Sequence, residues 1–517
     1  MNERIARLRV WFTVVNVEWL LFGLAIVFNL VQLALSWNHP ILGEHAFRQT
    51  QTAISAFWIA KGGSWLAYPT PVLGAPWSIP FEFPLYQWLA AGAAVLLPWI
   101  TLDQAGRLVS ELFFLACLWP AWRIATNYRD GPSMFRLCSV VVLLSPFYVF
   151  WSRSFMMESA VLFFSIWFVA ALDDFLRRPN AYGFAEMTLI GSLAACIKIT
   201  TFVGFAYAGA LIVCGLLLTS GWRSWHPKRM LPFLLTAVAV ALSMVALLLW
   251  LHFGDDLKRL NWYGENLVSS AADMRKWNFG TLAQRKSWEI WHVALLRAPN
   301  EALGSWIVFL LMAFYALARL AWLQKVVFLA LIFLYLSVFF TFTNVHFVHN
   351  YYQYANSIFL LASIGYVLHA GMGKDRFLAL ALLGVVCLVE FAGFYRYFYH
   401  DMVEPNRQEQ TLLATFVRDN VPDDKMLVIF GLAWSPEVPY YAERRALMIP
   451  TGVSESDLER LSRQLDTATG GVPIGAVIMC PNGFQSQPGS SQAYRGLVSK
   501  LVTGKTAHTV GYCIVST

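Results

Sequence analysis

Residues 187–218 read MTLIGSLAACIKITTFVGFAYAGALIVCGLLL, an apolar run whose one charge is Lys198. At 1.5 Å per residue, a straight helix of this length overshoots a hydrocarbon core of roughly 30 Å. A Lys at mid-bilayer costs about 3 kcal/mol on insertion scales. Two shorter spans, near 183–198 and 200–219, remove both problems if they meet at Lys198-Ile199-Thr200-Thr201 on a membrane face. Arg177 and Arg178 before the run, and Arg223, Lys228 and Arg229 after it, then lie on one side of the bilayer. Basic loop residues gather on the cytoplasmic side, so Lys198 is expected on the other.

The same reading extends outward to further apolar runs near 12–36, 105–125, 137–152, 159–176, 231–251, 302–320, 326–342, 354–372 and 377–394. With the two around Lys198 they make about eleven candidate spans of a polytopic α-helical membrane protein. The run from Trp11 to Trp37 is too long for a signal-peptide core and reads as a retained anchor. Leu85 to Ile100 is also apolar, but if it spanned, the Arg123, Arg129 and Arg136 cluster and every later one would face outward. It is therefore read as a re-entrant or interfacial helix. Composition agrees: of 517 residues, 58% are hydrophobic and 13% charged, against about 45–50% and about 25% in soluble domains. A soluble enzyme as the main body, a disordered chain, a collagen and a disulfide scaffold are excluded. The net charge of +7 speaks of loop placement rather than nucleic acid.

After about residue 400 the pattern changes. Helices are expected at Asn406–Val421, Pro436–Glu443, Glu455–Thr467 and Ser491–Val502, with strands at Met426–Gly431, Ala446–Ile449, Ala476–Cys480 and Thr509–Val515. This alternation predicts a small extracytoplasmic α/β domain over 401–517, following a transmembrane domain over 1–400. No Gly-rich loop follows a strand, so no nucleotide is assigned. Cys480 and Cys513 fall on two of the strands and are either a disulfide or two buried thiols. Cys117, Cys138, Cys196, Cys214 and Cys387 lie in apolar runs as small hydrophobes.

The outer side carries the chemistry. Gly43-Glu44-His45-Ala46-Phe47-Arg48 opens an amphipathic surface helix with Phe47, Ile54 and Trp58 on one face and Arg48, Thr52 and Ser55 on another. Glu82 stands among prolines and aromatics in Ile79-Pro80-Phe81-Glu82-Phe83-Pro84. Glu158 opens a span, where a helix N-terminus favours its charge. Lys198 is a lone cation for which a lipid phosphate is the natural anion at that depth. His346, His349, Asn350, Tyr351 and Tyr352 add donors before a late span. His346 and His349 lack a carboxylate at metal spacing, so a divalent metal is not indicated and no cofactor is assigned. Carboxylates, cations and donors at one membrane face suit a reaction on a lipid phosphate. Cations would hold the phosphate as leaving group, and a carboxylate or His45 would deprotonate an acceptor hydroxyl.

This ordered set resembles the GT-C polyprenyl-phosphate-sugar glycosyltransferases, in particular the branch of lipid A aminoarabinose transferases and protein O-mannosyltransferases. The resemblance spans roughly residues 10–370. It rests on the acidic motif with Arg48, Pro84-Leu85-Tyr86-Gln87-Trp88, Glu158, Lys198 and the His-rich Tyr351-Tyr352 turn. The family pattern Asp-Glu-x-Arg is not kept: His45 takes the Asp position, Ala46 the Glu position, and Glu44 is one residue out of register. The resemblance implies an inverting transfer of a monosaccharide (hexosyl or pentosyl) from a polyprenyl (undecaprenyl) phosphate to a glycan, lipid or protein acceptor of the cell envelope, such as lipopolysaccharide. The base would be Glu44, His45 or Glu158. Arg48, Lys198, His346, His349 and Tyr352 would hold the donor phosphate, and Glu82 would face sugar or acceptor. The implied location is a bacterial inner membrane, N-terminus cytoplasmic and tail periplasmic. Two rival readings are a polyprenyl-diphosphate glycan ligase or polymerase using Lys258, Arg259, Arg275, Lys276, Arg285 and Lys286, and a transporter of a lipid-linked substrate.

Overall fold

The structure, a computed structural model, describes residues 14–128, 130–220, 227–404, 408–450, 452–481 and 492–517. Arg129 and Arg223 of the orientation argument lie outside them. The chain divides into two compact units. One comprises Met1–His39, Arg107–Leu249 and Arg275–Val403, the other Pro40–Gly106, Trp250–Met274 and Glu404–Thr517. The segment Pro40–Gly106, expected from the sequence to be the first outer loop, thus belongs to the same unit as the C-terminal tail.

The protein is a multi-pass helical membrane protein. Among the described residues, 7 helices are long and apolar enough to span, and up to 8 if the pair Trp288–Leu303 and Trp306–Arg319, bent by 100°, counts as one. Gly131–Leu144 and Ser357–Met372 are shorter apolar helices, as is Leu85–Leu96, the segment expected to be re-entrant or interfacial. Around Lys198 the helix runs from Ala181 to Ser220, with Lys198 itself non-helical at φ −162°, ψ 99°. Two helices therefore meet at a kink on Lys198, as the sequence predicts.

The first unit is organised around Glu158–Arg177, which packs against Ala181–Ser220. Its buried polar groups are answered from within: Asn29 Nδ2 donates to the Ala25 and Leu143 carbonyls. Glu18 pairs with Arg136 at 2.7 Å, both buried. Ser357–Met372 packs on Gly131–Leu144. At Gly365 a Cβ would come within 2.6 Å of the Cys138 Cα. Small residues permit such backbone approach between membrane helices. Gly365→Val is expected to destabilise the protein by about 2 kcal/mol or more, read as a lower Tm in detergent, whereas Gly384→Val, with nothing within 4 Å of its Cβ position, should leave Tm unchanged.

The second unit contains a five-stranded sheet in the order β2-β1-β3-β5-β4. Its strands are β1 (Met426–Phe430), β2 (Ala446–Ile449), β3 (Ile474–Met479), β4 (Ala507–Val510) and β5 (Cys513–Ser516). β1 runs parallel to β2 and β3, while β5 is antiparallel to β3 and β4. The single strand expected at 509–515 is therefore the end of a hairpin, turning at Gly511-Tyr512, with Gly511 at φ 59°. Met426, Val428, Phe430, Leu447, Leu458, Leu461, Tyr494 and Leu497 form the core. Cys480 and Cys513 are bridged. The outer edge of β2 is capped by the first outer loop: Ala446 N–H donates to the Pro71 carbonyl and Met448 N–H to that of Val72, both at 2.8 Å. Covering an edge strand removes a row of unpaired backbone groups.

The bridge closes a loop with a sequence separation of 33. Cys480→Ser with Cys513→Ser is expected to cost about 3 kcal/mol, measured as a fall in the unfolding midpoint under non-reducing conditions.

Candidate active site

In the first unit, Glu158 is the first residue of its helix and Lys198 is the kink residue of the next. The helix ends bring their side chains into an ion pair, only 2% and 5% exposed respectively. The Lys198 ammonium also lies 4.2 Å from the Tyr352 ring centroid and 5.0 Å from that of Tyr351. A desolvated ammonium over two aromatic faces gains about 2 kcal/mol or more. Lys198 is buried within the protein, beneath the rings of Tyr351 and Tyr352 in the 350–355 turn. Glu158 spends one oxygen on Lys198, and its Oε2 has no hydrogen-bond partner among the described residues.

Other polar groups converge nearby. Ser159 Oγ and the Tyr354 hydroxyl are 3.0 Å apart, and the Tyr148 hydroxyl donates to the Tyr354 carbonyl at 2.7 Å. His346 is fully buried with neither ring nitrogen partnered, and Gln353 is fully buried with both amide atoms unpartnered. The His346 ring packs on Phe339 at 5.0 Å and on Tyr352 at 6.1 Å. Burial, then the charges of Lys198 and Arg297, push the His346 imidazole down to about 3. It is neutral at physiological pH and offers hydrogen-bonding nitrogens rather than a charge. His349 stacks on Tyr351 at 5.4 Å. Unsatisfied buried polar groups are costly in a native protein. Together with the Glu158–Lys198 pair they make this polar cluster the candidate site of the first unit.

The His346 shift has a stability consequence. Unfolded His takes a proton near pH 6.5, whereas the folded one does not until about 3. The unfolded state therefore binds more protons between these values, and stability falls by up to about 1.4 kcal/mol per pH unit on acidification through that window. His346→Gln should flatten this slope, a comparison read from unfolding midpoints at pH 7 and pH 5.

The second unit holds the remaining sequence-predicted residues. His45, at φ 51°, precedes the helix Ala46–Ala60, and its Nε2 lies 3.8 Å from Glu44 Oε1. Arg48 donates to Gln51 Oε1 at 2.6 Å and pairs with Glu82. The Tyr68 hydroxyl donates to the Glu82 carbonyl and accepts from Phe81 N–H, both at 3.0 Å. This fixes the loop that presents Glu82. Burial pushes the Tyr68 hydroxyl well above its ordinary value, so it remains a neutral donor.

On this helix the polar residues Gln49, Thr50, Gln51, Thr52 and Ser55 are all buried. Ser55 Oγ meets Thr70 Oγ1 at 2.9 Å, and Thr50 Oγ1 donates back to the Ala46 carbonyl at 2.7 Å. Sequence reasoning also missed Trp434. It follows β1, stands edge-on to Phe47 at 4.9 Å, and lies 6.0 Å from Phe81. Its signal was an aromatic just beyond the carboxyl end of a parallel strand, where open α/β sheets bind ligands. Of the ligase-type cations, Lys258 is held by Asp255 at 3.2 Å and Arg259 by Asp256 at 2.9 Å.

No protein-family model matches the sequence, and no curated protein matches it. Solved structures do match its fold, and that fold is the GT-C fold. ArnT from Cupriavidus metallidurans, crystallised with undecaprenyl phosphate, superposes with a TM-score of 0.62 at 12% identity, covering 96% of this chain and 98% of that one. Its apo form gives a TM-score of 0.61 at 14% identity, covering 96% and 97%. The Archaeoglobus fulgidus oligosaccharyltransferase, in complex with Zn and sulfate, gives 0.51 at 11% identity, covering 94% of this chain and 72% of that one.

Proposed function

We propose that this protein is an inverting membrane glycosyltransferase that moves a monosaccharide from a polyprenyl-phosphate donor to a cell-envelope acceptor. The observation that carries the reading is Glu158: a buried carboxylate paired with Lys198, whose Oε2 has no hydrogen-bond partner among the described residues. In the proposed step Glu158 Oε2 accepts the proton of an acceptor hydroxyl. The acceptor oxygen attacks the anomeric carbon opposite the phosphate. The carbon–oxygen bond to the phosphate breaks with its electron pair, leaving polyprenyl phosphate and an inverted glycoside. Lys198 and the faces of Tyr351 and Tyr352 hold the carboxylate in place. Neutral His346, Gln353 and the Tyr352 hydroxyl orient the sugar, and His349 supports Tyr351. Placing the base in the outer leaflet region follows from the charge pattern of the loops. In the second unit Glu82 holds Arg48, and Glu44 with His45 forms a carboxylate–imidazole pair suited to acceptor contacts.

The fold shared with ArnT, which was crystallised with undecaprenyl phosphate, supports the donor class. The Cys480–Cys513 bridge supports an oxidising, periplasmic setting for the tail in a bacterial inner membrane. The ligase reading loses support because Lys258 and Arg259 already have carboxylate partners. Purified protein in detergent, offered a panel of synthetic polyprenyl-phosphate sugars without acceptor, should slowly release sugar from one member. Glu158→Gln should bind that same donor and release nothing. If no monophosphate donor is bound or cleaved, the proposal fails.

A further inference from the structure

Both cations that the sequence offered to a donor phosphate are already paired: Lys198 with Glu158 and Arg48 with Glu82. A different arginine in the first unit is not. Arg153 lies in the turn before Glu158, 6% exposed, and its Nε and Nη2 have no hydrogen-bond partner among the described residues. Its guanidinium rests on the Phe150 ring at 4.9 Å. The turn is pinned against the helix carrying Arg107 and Glu111, because Ser110 Oγ donates to the carbonyls of Ser154 at 2.6 Å and Met156 at 3.2 Å. Arg107, Ser110 and Glu111 share one face of that helix, three and four residues apart. Arg107 and Glu111 are themselves buried, and Glu111 Oε1 has no partner. His39 lies in the field of both arginines, which together with burial lower its basicity. It adds no charge near neutral pH.

The Arg153 guanidinium therefore keeps two N–H groups, on Nε and Nη2, unused among the described residues. A buried charge without a partner is costly. A planar guanidinium fork matches the oxygens of a phosphate. We propose that Arg153, backed by Arg107, is the anion-binding subsite of this unit and takes a phosphate oxyanion, with Glu111 limiting its affinity. This rests on the glycosyltransferase reading for the source of that phosphate, a polyprenyl phosphate rather than the free ion. It makes Lys198 a positioning residue for Glu158, not the phosphate cation.

The test uses the full chain in detergent, with undecaprenyl phosphate, the matching phosphate-free polyprenol and inorganic phosphate as probes. Affinities come from direct binding and stabilities from thermal unfolding. Arg153→Gln should weaken undecaprenyl phosphate at least tenfold and leave polyprenol binding unchanged. Arg153→Lys should recover part of the loss. Glu111→Gln should tighten undecaprenyl phosphate several-fold. Without ligand, Arg153→Gln should keep or raise Tm, because it removes an uncompensated buried charge. A structural arginine would instead give a lower Tm with unaltered lipid affinity, which overturns the subsite. So does wild type binding neither phosphate probe. If wild type binds inorganic phosphate through Arg153 but discriminates no undecaprenyl phosphate from polyprenol, the subsite stands and the lipid-donor reading fails.

Discussion

Glu158→Gln should reduce turnover by three orders of magnitude or more while leaving donor affinity within a few-fold of wild type. General-base catalysis alone contributes about 10²–10⁴-fold. The amide keeps the size of the carboxylate but has no charge and no affinity for a proton. Because the substitution lies at an ion pair that is 2% and 5% exposed, it also strands Lys198. The expected cost is about 3 kcal/mol, partly offset by the Tyr351 and Tyr352 faces that remain over the ammonium. Single-turnover transfer, with donor binding measured on the same preparation, separates the two effects. A Glu158→Gln enzyme with near-normal turnover would return the base to Glu44 or His45.

Lys198→Ala should be the most destabilising single change at the site. It leaves the Glu158 carboxylate buried with no counter-charge, at a cost of about 3–5 kcal/mol. It also removes the group that fixes the Glu158 rotamer. The double variant Lys198→Ala/Glu158→Gln should recover most of that stability and none of the activity, since no buried charge remains. Thermal unfolding of the two single variants and the double variant gives the coupling directly. Additive losses would mean that the pair is not the electrostatic unit described here.

These outcomes bear on what the residues disclosed by themselves. Long apolar runs translate directly into helices, since a chain in hydrocarbon has few ways to satisfy its backbone. The break at Lys198 was legible for the same reason: a lone ammonium cannot stay in lipid. What covers it was not legible. Tyr351 and Tyr352 reach Lys198 from more than 150 positions away in sequence, and no local pattern encodes that pairing. Arg48 with Glu82 and Glu158 with Lys198 were each singled out for an unusual setting, yet each was assigned to a ligand rather than to the other. Arg153 passed as a loop charge because its burial depends on Ser110 holding the turn. The hairpin at Gly511 was hidden inside a strand-like run, where one glycine at positive φ reverses the chain. The merging of the first outer loop with the tail depends on the exposed edge of β2, which exists only once the sheet has formed.

The central claim is that a polyprenyl monophosphate carries the sugar. Wild-type protein in liposomes should be offered matched donors bearing one labelled sugar on undecaprenyl phosphate or undecaprenyl diphosphate. Release of the labelled sugar and the anomeric configuration of the product would both be followed. The account predicts turnover of the monophosphate alone, with inversion, and loss of that turnover in Glu158→Gln. Turnover confined to the diphosphate, or monophosphate turnover that survives Glu158→Gln, would contradict it.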